Sequence, residues 1–222
     1  MAYGADGALH SIPPNRSTTP YPVHGVGWLQ PWQVDRQSQS STQLSLEHVH
    51  GGIYAFRAQY QIIVAADDVS FALEMTNAGR VALPFGLGFH PYFPRRADTK
   101  LPIRGKSITT FNAEGLPDHT DDISANDDMR TLTPLAVRGF NHQLNGAYGT
   151  HTDQPDDAVS LRMELSDQLS YAHLWVPTGK PFFCIEPLSH PVDAFSHAEQ
   201  AKEHLLAPGR SMEATMGLVY LD

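Results

Sequence analysis

Apolar and polar positions alternate loosely from residue 43 onward, and the alternating runs are rich in aromatic and β-branched side chains. Gln43-Leu44-Ser45-Leu46 and Tyr54-Ala55-Phe56-Arg57-Ala58-Gln59-Tyr60-Gln61-Ile62-Ile63-Val64 fit strands rather than helices. Ala66-Asp67-Asp68 supplies a turn, Val69 to Thr76 completes a hairpin, and Asn77-Ala78-Gly79 stops it. Ala82 to Phe93 reads as a strand entering a loop, because Pro91 lacks a donor and pushes His90 towards extended backbone. Arg95 to Arg138 is turn-rich, with acidic pairs at Asp121-Asp122 and Asp127-Asp128, and predicts strands joined by long surface loops. Ala158 to Leu165, Tyr171 to Val176, Pro181 to Glu186 and Ser211 to Leu221 are further strands, and one short helix is expected around His197 to His204.

The spread of 17 glycines and 17 prolines between these runs, rather than in one linker, sharpens that picture to an all-β chain. With 222 residues, a single domain covering 1–222 is expected, in which the Gly- and Pro-broken stretch 1–22 forms an irregular arm. A hydrophobic content of 41% against 18% charged residues excludes intrinsic disorder. The formal charge of −9 disfavours nucleic-acid and anionic-membrane partners. No apolar run approaches the ~18 residues of a spanning helix, and the single cysteine, Cys184, excludes an internal disulfide framework, so a cytoplasmic protein is expected.

Candidate chemistry lies in two segments. In Phe85-Gly86-Leu87-Gly88-Phe89-His90, a period of two puts the apolar residues on one face and both glycines with His90 on the other. That bare face admits either a small ligand or a neighbouring strand pressed against the backbone. In Phe182-Phe183-Cys184-Ile185-Glu186-Pro187, Glu186 shares a face with Phe182 and Cys184. Burial there would raise its pKa and make it a general base near neutral pH; the alternative is a strand-end glutamate reaching water or an arginine. Cys184 between aromatic residues reads as a small buried hydrophobe rather than a nucleophile. His48 and His50 share a face as a strand pair, but no third ligand at a recognisable spacing completes a metal site. The chain holds no GxSxG elbow, Walker A loop or GxGxxG fingerprint.

Gly86-Leu87-Gly88-Phe89-His90-Pro91-Tyr92-Phe93 and Cys184-Ile185-Glu186-Pro187-Leu188-Ser189-His190-Pro191-Val192-Asp193-Ala194-Phe195 resemble the two signature segments of the aldose 1-epimerase (galactose mutarotase) family. His24-Gly25-Val26-Gly27-Trp28 with Pro31-Trp32, and Leu206-Ala207-Pro208-Gly209-Arg210-Ser211, are similar to its His-Gly segment and its last loop, so the resemblance runs from about residue 22 onward. It implies a twisted antiparallel β-sandwich with a sugar-binding cleft. It also implies anomer interconversion of a free hexose by acid–base ring opening, with Glu186 as base, His90 as acid and no metal or organic cofactor. His24 matches a histidine that hydrogen-bonds the sugar.

The chain departs from the family pattern at Asn141 and in the interval before His24. Asn141, in Gly139-Phe140-Asn141-His142, stands where an aspartate usually grips a sugar hydroxyl, and an amide keeps the hydrogen bonds while losing the charge. Asn15-Arg16 resembles the pair whose arginine reaches the substrate, but only seven residues separate Arg16 from His24, where a hairpin is normally found. That shortening and Asn141 motivate an alternative, a non-catalytic carbohydrate-binding or sensing protein. Arg95, Arg96 and Arg16 motivate another, a hexose 6-phosphate epimerase. A homodimer covering exposed sheet edges is the expected assembly.

Overall fold

Prolines and glycines at short intervals leave runs that suit strands, and in the computed structural model those runs are antiparallel strands with one short helix. The structure describes residues 2–3, 9–10, 13–17, 21–49, 54–96, 99, 105–123, 140–145, 150–152 and 160–221. In chain order the first strands are β1 (Ala2–Tyr3), β2 (Leu9–His10), β3 (Gln33–Gln37), β4 (Ser41–His48), β5 (Phe56–Val64) and β6 (Asp68–Asn77). There follow β7 (Leu83–Pro84), β8 (Tyr92–Pro94), β9 (Ser107–Phe111), β10 (Pro117–Asp122), β11 (Phe140–Asn145) and β12 (Thr150–Thr152). The rest are β13 (Ser160–Leu165), β14 (Tyr171–Val176), β15 (Phe182–Leu188), helix α1 (Ala198–Glu203), β16 (Leu205–Leu206) and β17 (Ser211–Leu221).

Two expectations change. The arm 1–22 is not wholly irregular, since β1 and β2 pair antiparallel, Ala2 with His10 and Tyr3 with Leu9. The predicted strand Ala82 to Phe93 is regular only over β7 and, past Pro91, at Tyr92 and Phe93 of β8: Pro84 and Pro91 lack donors, and the segment between them bonds to separate partners, Phe85 N–H to His204 C=O at 3.0 Å and Phe89 N–H to Pro187 C=O at 3.0 Å. Its period of two survives nonetheless, with Phe85, Leu87 and Phe89 buried while Gly86, Gly88 and His90 are half-buried. The stretch 124–139 of the predicted surface loops lies outside the described residues, as does His50 of the His48/His50 pair.

The described chain gathers into two compact units, each built from three chain segments. The first takes residues 1–63, 72–86 and 193–213. In it β3, β4, β5 and β6 lie side by side, with β4 and β5 in register from Ser41–Ile63 to His48–Phe56. The Asn77-Ala78-Gly79 turn is fixed by a fully buried Asn77, whose side-chain amide donates to Val81 and Leu206 carbonyls at 2.9 and 2.7 Å and accepts from Gly79 N–H at 2.8 Å.

The second unit takes residues 64–71, 87–192 and 214–222. Its main sheet runs β10-β9-β11-β14-β15-β8, antiparallel throughout. In β14 the apolar half of the alternation, Ala172, Leu174 and Val176, is buried almost completely and sits opposite Pro187 and Ile185 of β15. The other half, Tyr171, His173 and Trp175, stands on the opposite face, where His173 lies opposite Glu186 of β15.

Candidate active site

Glu186 sits in register opposite His173, and both side chains project from the half-exposed face of the main sheet. A strand of Phe, Cys, Ile and Pro gives this carboxylate little water: Glu186 is 6% exposed, and burial pushes its pKa from 4.5 to about 8. The strand-end alternative, a glutamate with its head in water, is therefore set aside. Two residues back, Cys184 is fully buried and its thiol is raised to about 12, first by burial and then by the Glu186 charge. It is a packing residue, not a nucleophile.

His90 reaches this carboxylate from a separate segment, Nε2 lying 3.2 Å from Glu186 Oε1. Burial lowers its pKa below the usual 6.5, opposed by a hydrogen bond to its own backbone. Its place is set by the chain before it. Phe89 N–H donates to Pro187 C=O, Ser189 N–H to Leu87 C=O at 2.9 Å, and Leu87 N–H to the buried Ser189 hydroxyl at 2.9 Å. Gly88 bridges Leu188 at the centre of this contact. A Cβ on Gly88 would meet Leu188 Cδ2 at 2.5 Å and the Pro187 carbonyl oxygen at 2.9 Å. At this position the bare face is filled by a neighbouring strand, not held open for a ligand. Gly88→Ala is expected to cost about 1–3 kcal/mol of stability by overpacking. By moving the segment that carries His90, it should also lower turnover at least tenfold; a melting curve and rate equal to wild type would refute this.

Aromatic rings surround the pair. Tyr92 stacks on His90 with ring centroids 5.0 Å apart and planes 14° from parallel, Phe182 lies 5.3 Å from Tyr92, and Trp175 lies 5.8 Å from Phe182. Tyr92 is 60% exposed beside the pair. Apolar ring surface with a few convergent polar groups is the usual lining of a small-molecule site. Extending from Glu186 is a polar row that sequence reasoning missed: Glu186, His173, Gln143, Thr109 and Thr120 follow one another in register over β15, β14, β11, β9 and β10. Gln143, only 2% exposed, accepts from Val192 N–H at 2.5 Å and so ties down the loop that follows Glu186. The alternation in Tyr171-Ala172-His173-Leu174-Trp175 is a signal from which His173 could have been put on the face of Tyr171 and Trp175; nothing local marks its pairing with Glu186.

The remaining predicted residues fall as follows. Asn141 pairs with Trp175 in register on β11, and its side chain lies outside the described residues. His24, in the first unit, is exposed, in the left-handed region at φ 57°, with its ring edge-on to Trp28 at 5.9 Å. Arg16, in the same unit, is exposed. Arg95 donates to the Pro177 carbonyl at 3.0 Å and so joins the end of β8 to the β14–β15 turn. His90 Nε2 and Glu186 Oε1 are also donor atoms of the kind that ligate divalent ions, and the same spacing suits a shared proton. None of the described helices is long and apolar enough to cross a membrane.

The family model for aldose 1-epimerase matches residues 2–219, so the match begins at residue 2 rather than near residue 22. The uncharacterized Escherichia coli K12 protein YphB is 28% identical over 221 residues, covering 96% of this chain and 76% of that protein. The crystal structure of a candidate aldose 1-epimerase from Escherichia coli K12 is 28% identical, with a TM-score of 0.86 over 96% of this chain and 76% of that one. A galactose mutarotase-like protein from Clostridium acetobutylicum is 12% identical, with a TM-score of 0.85 over the whole of this chain and 75% of that one, a likeness of fold alone. The fold is the galactose mutarotase-like β-sandwich.

Proposed function

Since the chain belongs to the aldose 1-epimerase family, we propose that it is a cofactor-independent isomerase that interconverts the α and β anomers of a free hexose. The observation that carries this reading is the buried carboxylate–imidazole pair, Glu186 and His90 at 3.2 Å, on an aromatic-lined sheet face. Anomer exchange requires the C1 hydroxyl to lose a proton as the C1–O5 bond breaks and the ring oxygen to gain one. Rotation about C1–C2 in the open aldehyde and the reverse proton transfers then close the ring on the other face.

One proton between the two groups suffices for this cycle. As carboxylate and imidazolium, Glu186 takes the C1 hydroxyl proton while His90 gives its own to the ring oxygen. Ring opening leaves a protonated Glu186 and a neutral His90, the arrangement that burial favours because neither group is charged. Ring closure runs the same transfers backward, so the pair finishes where it began. By resemblance His24, Asn141 and Arg16 contact sugar hydroxyls. A free sugar is preferred to a phosphorylated one because Arg95 is engaged by the Pro177 carbonyl and the chain's charge is −9.

Polarimetry on freshly dissolved α-D-glucose and α-D-galactose tests this reading. Equilibration should be faster than in buffer alone for at least one aldose, and treatment with EDTA should leave the rate unchanged. Loss of activity on chelation that a divalent ion restores would contradict the cofactor-free mechanism. Saturable sugar binding without acceleration would favour the non-catalytic alternative, and competition by inorganic phosphate the phosphorylated substrate.

A further inference from the structure

His24 and Gly25 are consecutive residues in the left-handed region, at φ 57° and 65°. Glycine adopts that backbone freely; for histidine it costs on the order of 1–2 kcal/mol and persists only where the surroundings enforce it. The enforcing group here is the side chain of Asn15. Its Oδ1 accepts from Val23 N–H at 2.9 Å, and its Nδ2 donates to the Val23 carbonyl at 2.7 Å and to the Gly25 carbonyl at 2.8 Å. One amide thus grips the backbone on both sides of His24, using an acceptor and two donors, a combination only Asn and Gln side chains carry. Trp28 Nε1 donates to the same Val23 carbonyl at 3.3 Å, and Trp32 Nε1 to the Gly27 carbonyl at 2.9 Å, which secures the stretch that follows.

We propose that Asn15 is a positioning residue: it holds the Val23–Gly25 backbone so that the His24 imidazole is presented to the sugar in one orientation. This rests on the reading of His24 as a sugar contact. Without the clamp the Val23 N–H and the Gly25 carbonyl turn to water and the Val23 carbonyl keeps only Trp28 Nε1, so the His24 backbone leaves the left-handed region and the imidazole swings away with it. Asn15 therefore acts on sugar affinity through His24, while the proton transfers at Glu186 and His90 are left in place.

A double-mutant cycle tests this by KM and kcat for anomer exchange. His24→Ala should raise KM about tenfold, the worth of one ligand hydrogen bond. Asn15→Ala should raise KM by a similar factor with kcat changed less than twofold, and the double variant should be no worse than His24→Ala alone. Multiplying effects in the double variant, or an unchanged KM in Asn15→Ala, would overturn the proposal while leaving the His24 reading intact. An unchanged KM in His24→Ala would overturn the His24 reading and the proposal with it, whereas wild-type turnover would still stand. Should Asn15→Ala fail to fold, Asn15→Asp keeps the acceptor for Val23 N–H and loses both donors. Its KM should rise, again with no added effect in the His24→Ala background.

Discussion

Glu186→Gln is expected to lower kcat for anomer exchange by about 10²–10⁴-fold, the usual contribution of a positioned proton-transfer group, and to make the protein more stable above pH 8. The two effects share one cause. A carboxylate with a folded-state pKa of about 8 against 4.5 in the open chain holds its proton more tightly when folded. Relative to a neutral glutamine, the wild type is at no disadvantage below about pH 4.5; it loses stability as pH rises to 8 and stays at that loss above it. Each unit of the rise is worth roughly 1.4 kcal/mol, so the full difference at pH 9 amounts to a few kcal/mol, or several degrees in Tm. Thermal melts of both proteins at pH 5 and pH 9 read this out. Matching melts at pH 9, or a variant as active as wild type, would remove Glu186 as a buried base.

The second large effect is on pH. The pair holds two protons at low pH, one in the middle range and none at high pH, and only the singly protonated form has both an acid and a base ready. The rate above buffer-catalysed background should therefore be bell-shaped in kcat/KM. Its alkaline limb should lie near 8, set by Glu186, and its acid limb below 6.5, set by the lowered His90. Outside those limbs the rate should fall about tenfold for each pH unit. Stopped-flow polarimetry from pH 4.5 to 9.5 measures the profile; a rate that keeps rising to pH 9.5, or an acid limb above 7, would show that other groups carry the protons.

Much of this was legible in the sequence, and where legibility ended is instructive. Strands with an apolar face announced themselves: β14 and β17 fall on their predicted bounds, and β15 and β6 close to theirs. Strand β3 was missed because all five of its residues are exposed, so no apolar alternation marks it. Glu186 stood out as a carboxylate in an apolar strand and His90 as the end of a glycine-bearing face. Their meeting at 3.2 Å is a long-range contact that no local pattern encodes. The glycine face itself was ambiguous until the backbone of Pro187 and the side chain of Leu188 were seen against Gly88. Asn15 was legible only as half of an Asn-Arg pair. Its hold on Val23 and Gly25 depends on loop geometry that side-chain identity does not fix.

The central claim is that Glu186 and His90 together move protons on and off a sugar hemiacetal. NMR exchange spectroscopy on equilibrated glucose and galactose, with the α and β anomeric protons resolved, tests it most directly. The wild-type protein at pH 7 is expected to give exchange cross-peaks between the anomers, and Glu186→Gln, folded and at equal concentration, to give none above buffer. Well-folded wild-type protein that yields no exchange with any aldose, or a Glu186→Gln variant that exchanges as fast, would contradict it.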